Sequence, residues 1–178
     1  MKLSKTLKQF VLGSAATFAL LQGGQAQASE AFAACNSTPR VFFDGTVVDA
    51  AVATPELSTL VDAVTAAGLA DALATTEDIT VYAPTNDAFA ALPPGMLDAI
   101  LADPDVLTSV LTYHVSTGRR DPRIHFTSVL RNTLQGQKVS YAFVDGHTRV
   151  NGAGVSCQGV STSNGIVWVI DSVLLPQF

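Results

Sequence analysis

Positive charge is scarce in this sequence of 178 residues, with ten Lys and Arg against fifteen Asp and Glu and a formal net charge of −5. Three of the four lysines, Lys2, Lys5 and Lys8, fall within the first eight residues, and only Lys138 follows them. Phosphate backbones are held mainly by Lys and Arg, so nucleic acid is not an expected partner. Histidine is also sparse: His114, His125 and His147 stand eleven and twenty-two residues apart, without the close spacing of a zinc-ligating helix or finger. There is no Gly-x-Ser-x-Gly elbow, no Walker loop and no Asp-rich loop of EF-hand spacing. After residue 21, no apolar run approaches the ~20 residues that span a bilayer, so stable membrane insertion is not expected.

The first 28 residues read as an export signal. Lys2, Lys5 and Lys8 form a basic start, Phe10 to Leu21 an apolar stretch, and Ala26-Gln27-Ala28 a small-residue cleavage site. The expected mature chain runs from residue 29 to residue 178. That length suits one domain with a single core, divided here into an N-terminal segment, 29–43, and a domain, 44–178. The only cysteines, Cys35 and Cys157, both lie in the exported part. An even pair in an oxidising compartment points to a disulfide, worth about 4 to 5 kcal/mol for a loop of over a hundred residues in the chain-entropy model. Lipid attachment at Cys35 is the alternative, although Cys35 lies fourteen residues beyond Leu21 and lipoprotein cysteines follow the apolar stretch closely.

The first half carries helical punctuation. Asp44 is positioned to cap a helix through Val47, Val48, Ala51 and Val52. Pro55 opens another, in which Leu57, Leu60, Val61 and Val64 recur at helical spacing before Gly68. Ile79–Ala83 reads as a strand and Thr85 as a helix start. One helix opens at Pro94 or nearby and Asp103-Pro104 opens another, the second ending at Tyr113-His114. The second half changes period. Val139, Tyr141 and Phe143 alternate with polar or small neighbours, Asp145-Gly146 is a hairpin turn, and Asn151-Gly152 and Asn164-Gly165 are further turn signals. Ile166–Ile170 is apolar on both faces, as in a strand enclosed on both sides. Helices followed by strands predict an α+β fold with a largely antiparallel sheet. No internal repeat is apparent, and no low-complexity segment follows the signal.

The stretches TVYAPTNDAFAALP, LTYHV, TLQGQKV and NGIVWVIDSVLLP, in that order over residues 44–176, resemble a fasciclin (FAS1) domain. The cysteine pair and the last stretch are similar to small secreted bacterial and mycobacterial members. The resemblance implies a compact β-sandwich or wedge of mostly antiparallel strands flanked by helices. It also implies a non-enzymatic module for cell adhesion or for contact with an envelope or matrix protein, needing no cofactor. Within that pattern Thr85, Asn86, Asp87, Tyr113, His114 and Asp171 are the family's structural motif residues. The chain departs from it at three places, one of them the segment Gly118 to His125, which is unlike the usual connection after the Tyr-His motif. Where animal matrix members carry an Asp-Ile pair associated with integrin binding, this chain has Gly159 and Val160. Where the last strand often carries a His, it has Trp168.

The same residues can be weighed as chemistry. Thr85, Asn86 and Asp87 at a strand-to-helix joint suit helix capping, a contribution of about 1 kcal/mol, better than catalysis without a nameable nucleophile or base. Tyr113 and His114 suit a satisfied pair at the rim of the core better than a base or metal ligand. Arg119, Arg120 and Arg123 form the densest positive cluster, a possible contact surface for carboxylates or sulfates. The expected function is therefore adhesion or matrix contact by an exported monomer, secreted or periplasmic. The alternative is a small-molecule carrier with a pocket between helices and sheet.

Overall fold

The computed structural model describes residues 30–124 and 127–177; the expected signal segment and His125 lie outside them. Residues 30–37 form a helix, α1. Strand β1 (Val41–Phe42) precedes α2 (Val47–Val52), a 3-10 turn (Pro55–Leu57), α3 (Ser58–Ala66) and α4 (Ala70–Thr75). Next come β2 (Ile79–Pro84), α5 (Asn86–Ala90), α6 (Met96–Ala102), α7 (Pro104–Tyr113) and β3 (Val115–Thr117). A second 3-10 turn (Pro122–Ile124) leads into β4 (Val129–Asn132), β5 (Lys138–Val144), β6 (His147–Val150), β7 (Ala153–Gly154), β8 (Val160–Ser161) and β9 (Gly165–Ile170).

Two open sheets result. One has the order β1-β8-β9-β2-β3 and the other β4-β5-β6-β7. Five of the seven strand pairings are antiparallel, but the long central pair, β2 with β9, runs parallel over Ile79–Pro84 and Gly165–Ile170. The α+β class and the mostly antiparallel, helix-flanked architecture therefore stand. The parallel centre explains why Ile166–Ile170 is apolar on both faces, since helices cover one side of the pair and the second sheet the other.

Strand periodicity divides the core in two. Ile79 and Ala83 of β2 and Val167 of β9 point toward the helices, joining Val47, Leu57, Leu60, Leu107, Val110 and Leu111. Tyr82, Ile166, Trp168 and Ile170 point the other way, joining Val139, Tyr141 and Val150 of the second sheet. Alternate side chains of a strand face opposite sides, so one strand pair supplies both cores. The phenol oxygens of Tyr82 and Tyr141 share a hydrogen bond across the two sheets, with Ser116 Oγ accepting from Tyr82.

Local punctuation differs from expectation at two points. The cap of α2 is Thr46, not Asp44: Thr46 Oγ1 accepts the Asp49 N–H at 3.2 Å, and Asp49 Oδ2 accepts the Thr46 N–H at 2.8 Å, a reciprocal box that Asp44 stands too early to make. Asn164 is no open turn residue, because its side chain is buried. Its Oδ1 accepts the Val47 N–H at 2.9 Å, and its Nδ2 donates to the carbonyls of Leu73 (2.7 Å) and Thr76 (2.9 Å). The other signals hold. Asp103 caps α7 by accepting from the Asp105 and Val106 amides, and the two-residue turns Asp145-Gly146 and Asn151-Gly152 have positive φ at all four residues.

The expected boundary at residue 44 cuts across hydrogen-bonded structure. Strand β1 lies parallel to β8, with the Val41 N–H on the Gly159 carbonyl at 2.9 Å, so residues 41–43 belong to the first sheet.

Candidate functional site

At the β2–α5 joint the three polar residues divide the work of construction. Thr85 is extended, and its Oγ1 accepts the Ala88 N–H at 3.2 Å, capping α5. Asn86 reaches back to the preceding helical segment: its Oδ1 accepts the Thr59 N–H at 3.0 Å, while its Nδ2 donates to Pro55 O (3.2 Å) and Ser58 Oγ (3.0 Å). That bridge spans about thirty residues of chain, so local spacing gives no sign of it. Asp87 sits in the first turn, where the helix dipole favours a negative charge.

His114 ends α7 and is buried. Its Nδ1 meets the Val110 carbonyl at 2.8 Å, and its Nε2 accepts the Leu174 N–H at 2.9 Å. Both contacts fit a neutral ring protonated on Nδ1. Burial pushes its pKa down to about 4, only partly opposed by the Val110 hydrogen bond. Tyr113 Oη donates to the Lys138 carbonyl at 3.2 Å and accepts from Asn151 Nδ2 at 2.6 Å. Neither group is presented as a base or metal ligand, and no group of three or more His, Cys, Asp or Glu that could hold a metal lies among the described residues.

The cysteines are joined: Cys35 and Cys157 form a disulfide across 122 residues of sequence. The arginine cluster, by contrast, is broken up by the fold. Arg123 is only 4 % exposed. Its Nη1 donates to the carbonyls of Cys35 (3.0 Å), Thr38 (2.6 Å) and Cys157 (2.8 Å), its Nη2 pairs with Asp121 at 2.7 Å, and its guanidinium lies 4.7 Å from the Trp168 ring. It cannot belong to a contact surface, because it clamps the backbone on both sides of the disulfide. Arg119 is exposed but tethered, to Asp78 at 3.1 Å and to the carbonyls of Thr162, Ser163 and Gly165. Arg120 remains at the surface with its Nε on the Thr117 carbonyl at 3.1 Å.

One open cleft, of about 610 Å³, gathers motif residues: Thr85, Asp87 and Asp171 line it together with His147, Arg149 and Ser156. Asp171 holds its rim, Oδ1 accepting the Gly154 N–H at 2.8 Å and the Ser172 hydroxyl at 2.9 Å. A wider open trough, about 920 Å³, runs past Tyr113, Lys138, Asn151 and Ser172. Between the helices and the first sheet lies an apolar cavity of about 80 Å³, lined by aliphatic side chains with His114 among them. His147 and Arg149 were missed as cleft residues, because strand alternation marks them only as outward-facing.

The sequence pattern of the Fasciclin domain family matches residues 55–176. This chain belongs to the fasciclin domain family. It is 42 % identical over 134 residues to "Protein sll1483" of Synechocystis, covering 74 % of this chain and 73 % of that one. It is 39 % identical over 154 residues to "Immunogenic protein MPB70" of Mycobacterium bovis, covering 82 % and 78 %. With "Cell surface glycolipoprotein MPB83" of the same species it shares 41 % over 136 residues, 73 % of this chain and 60 % of that one. The fold is also similar to a solved FAS1 domain pair from the insect cell adhesion molecule Fasciclin I, with a TM-score of 0.50 at 19 % identity over 67 % of this chain and 45 % of that one.

Within this fasciclin domain two of the departures from the family pattern, Gly159 and Trp168, are in contact. A Cβ on Gly159 would lie 2.7 Å from the Trp168 ring, and the Trp168 indole N–H donates to the Arg120 carbonyl at 3.0 Å. The large indole of β9 occupies the space that a side chain at position 159 would need. No described helix of this fasciclin domain is long and apolar enough to cross a membrane.

Proposed function

We propose that this protein is an exported fasciclin module that works by contact with a protein or matrix component at the cell envelope or beyond it, and that it runs no reaction. The observation that carries this reading is the use made of the motif's polar groups. Thr85, Asn86, Tyr113, His114 and Asp171 are engaged with partners inside their own fold. Groups tied up in this way hold a frame for a surface. Export fits the basic-apolar-small layout of the first 28 residues and the surface location named for a mycobacterial relative. Of the three arginines first considered for the contact surface, Arg119 and Arg120 stay candidates and Arg123 does not.

The carrier alternative fits less well. A cavity of about 80 Å³ falls short of the ~300 Å³ and more of ordinary ligand pockets, and the larger clefts are open to solvent.

Beads coated with the mature protein test the contact reading on cells of the producing organism. Saturable retention that soluble protein competes away is the expected result. Retention no greater than that of beads carrying an unrelated acidic protein would overturn it.

A further inference from the structure

Past residue 8 the chain has only seven Lys and Arg, and three of them, Arg120, Arg131 and Lys138, line one pocket of about 220 Å³ with Thr117, Leu130 and Asn132. No Asp or Glu lines it among the described residues. The three cations are scattered in sequence, and strand pairing assembles them. The bridge between Ser116 and Thr133 sets the end of β3 beside β4, and the β4–β5 ladder sets Asn132 opposite Lys138. The pocket therefore lies at the seam where the first sheet meets the second.

Two of the three charges are held in place. The Arg120 main chain is fixed at both ends, its N–H on Thr80 Oγ1 at 2.7 Å and its carbonyl under the Trp168 indole N–H at 3.0 Å. Its Nε donates to Thr117 O, and the side chain lies across Gly118, where a Cβ would come within 2.9 Å of Nε and where φ is +84°. Gly118 thus supplies both the turn and the space for the guanidinium. Arg131 lies over the Tyr141 ring, 5.9 Å from its centre, and its Nη1 donates to the Leu130 carbonyl at 3.2 Å. Lys138 is exposed, and neither it nor Arg120 forms an ion pair with a carboxylate among the described residues.

Two guanidiniums and an ammonium, with Thr117 and Asn132 also lining the pocket, suit an oxyanion that accepts several hydrogen bonds. The volume is several times the ~30 Å³ share of one water, enough for one tetrahedral group with some of its hydration. The rest of the molecule is acidic and would repel a long polyanion. We propose that Arg120, Arg131 and Lys138 form a binding site for a single tetrahedral oxyanion, a phosphate or sulfate group borne by a small molecule. The site goes beyond the contact function, and its test in solution stands or falls apart from bead adhesion.

Lys138 gives a direct readout, since it is the one lysine left after the first eight residues. Amine acylation of the folded mature protein is followed at the Lys138 peptide in inorganic phosphate, inorganic sulfate, glucose 6-phosphate or glucose 6-sulfate, against chloride of equal ionic strength. The expected result is at least a threefold slowing by the phosphate compounds, the sulfate compounds or both. The contrast between the pairs tells which group the site takes, and equal rates in all five solutions would overturn the proposal. Titration by NMR should then give a Kd at least tenfold weaker for the R120Q/K138Q double variant, with its dispersed spectrum confirming the fold. A variant that binds as tightly as wild type overturns the site. So does an R119Q control that weakens binding as much as the double variant, because that would reduce the effect to general surface charge.

Discussion

Gly159 and Trp168 fill one volume between them: the indole of the last strand lies 2.7 Å from where a Cβ on Gly159 would stand, and it is fully buried. Placing the family's Asp at position 159 should force the ring from its site and cost about 1 to 3 kcal/mol, the usual range for overpacking. Shrinking the ring as well, in G159D/W168H, should recover part of that loss. The measurement is a double-mutant cycle by urea unfolding, with a favourable coupling above about 1 kcal/mol expected for residues in contact. Strictly additive effects would mean that the two departures are unrelated.

His114 makes stability depend on pH. Its pKa is about 4 in the folded chain against 6.5 for a free imidazole, so between those values the unfolded chain takes up a proton that the folded chain does not. The contribution is full above pH 6.5, falls as the pH drops toward 4 and levels off below, a loss of roughly 3 kcal/mol at about 1.4 kcal/mol per pKa unit. Asp49, held low first by the Thr46 amide, adds a loss that sets in as the pH falls into the ordinary carboxylate range and grows below it. Urea midpoints between pH 7 and pH 4.5 should fall steeply in wild type and much less in H114Q. Equal slopes would rule out His114 as the source.

At the β2–α5 joint the ranking should be Asn86 over Thr85 over Asp87. Asn86→Ala removes three hydrogen bonds linking α5 to the 3-10 turn at Pro55 and to the start of α3, and should cost about 2 kcal/mol or more, against about 1 for Thr85→Ala and a few tenths for Asp87→Ala. Thermal or urea unfolding of the three variants gives the order. A harmless Asn86→Ala would refute the bridge.

Strands β2, β5, β6 and β9, the caps Thr85 and Asp103 and the turns were legible in the sequence, because apolar period and turn residues are local signals; the short strands β1, β3, β4, β7 and β8 carry too few residues to show a period. Asp103-Pro104 and Asp145-Gly146 each announce themselves within two residues. What the sequence could not reveal is who meets whom across the chain. Arg123 stands two residues from Asp121 on a polar stretch and reads as a surface cation, yet its carbonyl partners lie at Cys35, Thr38 and Cys157. Asn164-Gly165 carries a turn signature, but the Asn side chain serves amide and carbonyl groups about ninety to a hundred and twenty residues upstream. The same limit hid the pocket formed by Arg120, Arg131 and Lys138. Family resemblance supplied the parts of the fold that periodicity could not, including the covering of a two-sheet core by helices.

Arg123 and Arg120, close neighbours in sequence, should separate sharply in stability. Arg123→Ala leaves three carbonyls and a partly buried Asp121 without their partner and should cost about 3 to 5 kcal/mol, whereas Arg120→Ala should stay within about 1 kcal/mol. Reducing the disulfide should add a loss of about 2 to 5 kcal/mol in either background. Comparable midpoints for the two arginine variants would contradict the clamp.

Asn164→Asp should be worse than Asn164→Ala. The new carboxylate would still accept from Val47, but it would turn an oxygen toward the carbonyls that Nδ2 now serves. A buried charge facing acceptors should exceed the roughly 3 kcal/mol expected for simple loss of the network. The comparison is again by urea unfolding near neutral pH, and a milder Asn164→Asp would mean that the carboxyl is protonated or has turned away.

The parallel pairing of β2 with β9 also sets a timetable. Strand β2 is made early, but its neighbour in the middle of the first sheet is the last strand of the chain. During synthesis, everything before residue 165 is made while that edge of β2 is unfilled. Contacts this distant in sequence slow the final step. The middle of the first sheet, and with it both halves of the core, is therefore the last part of the fold that can be completed.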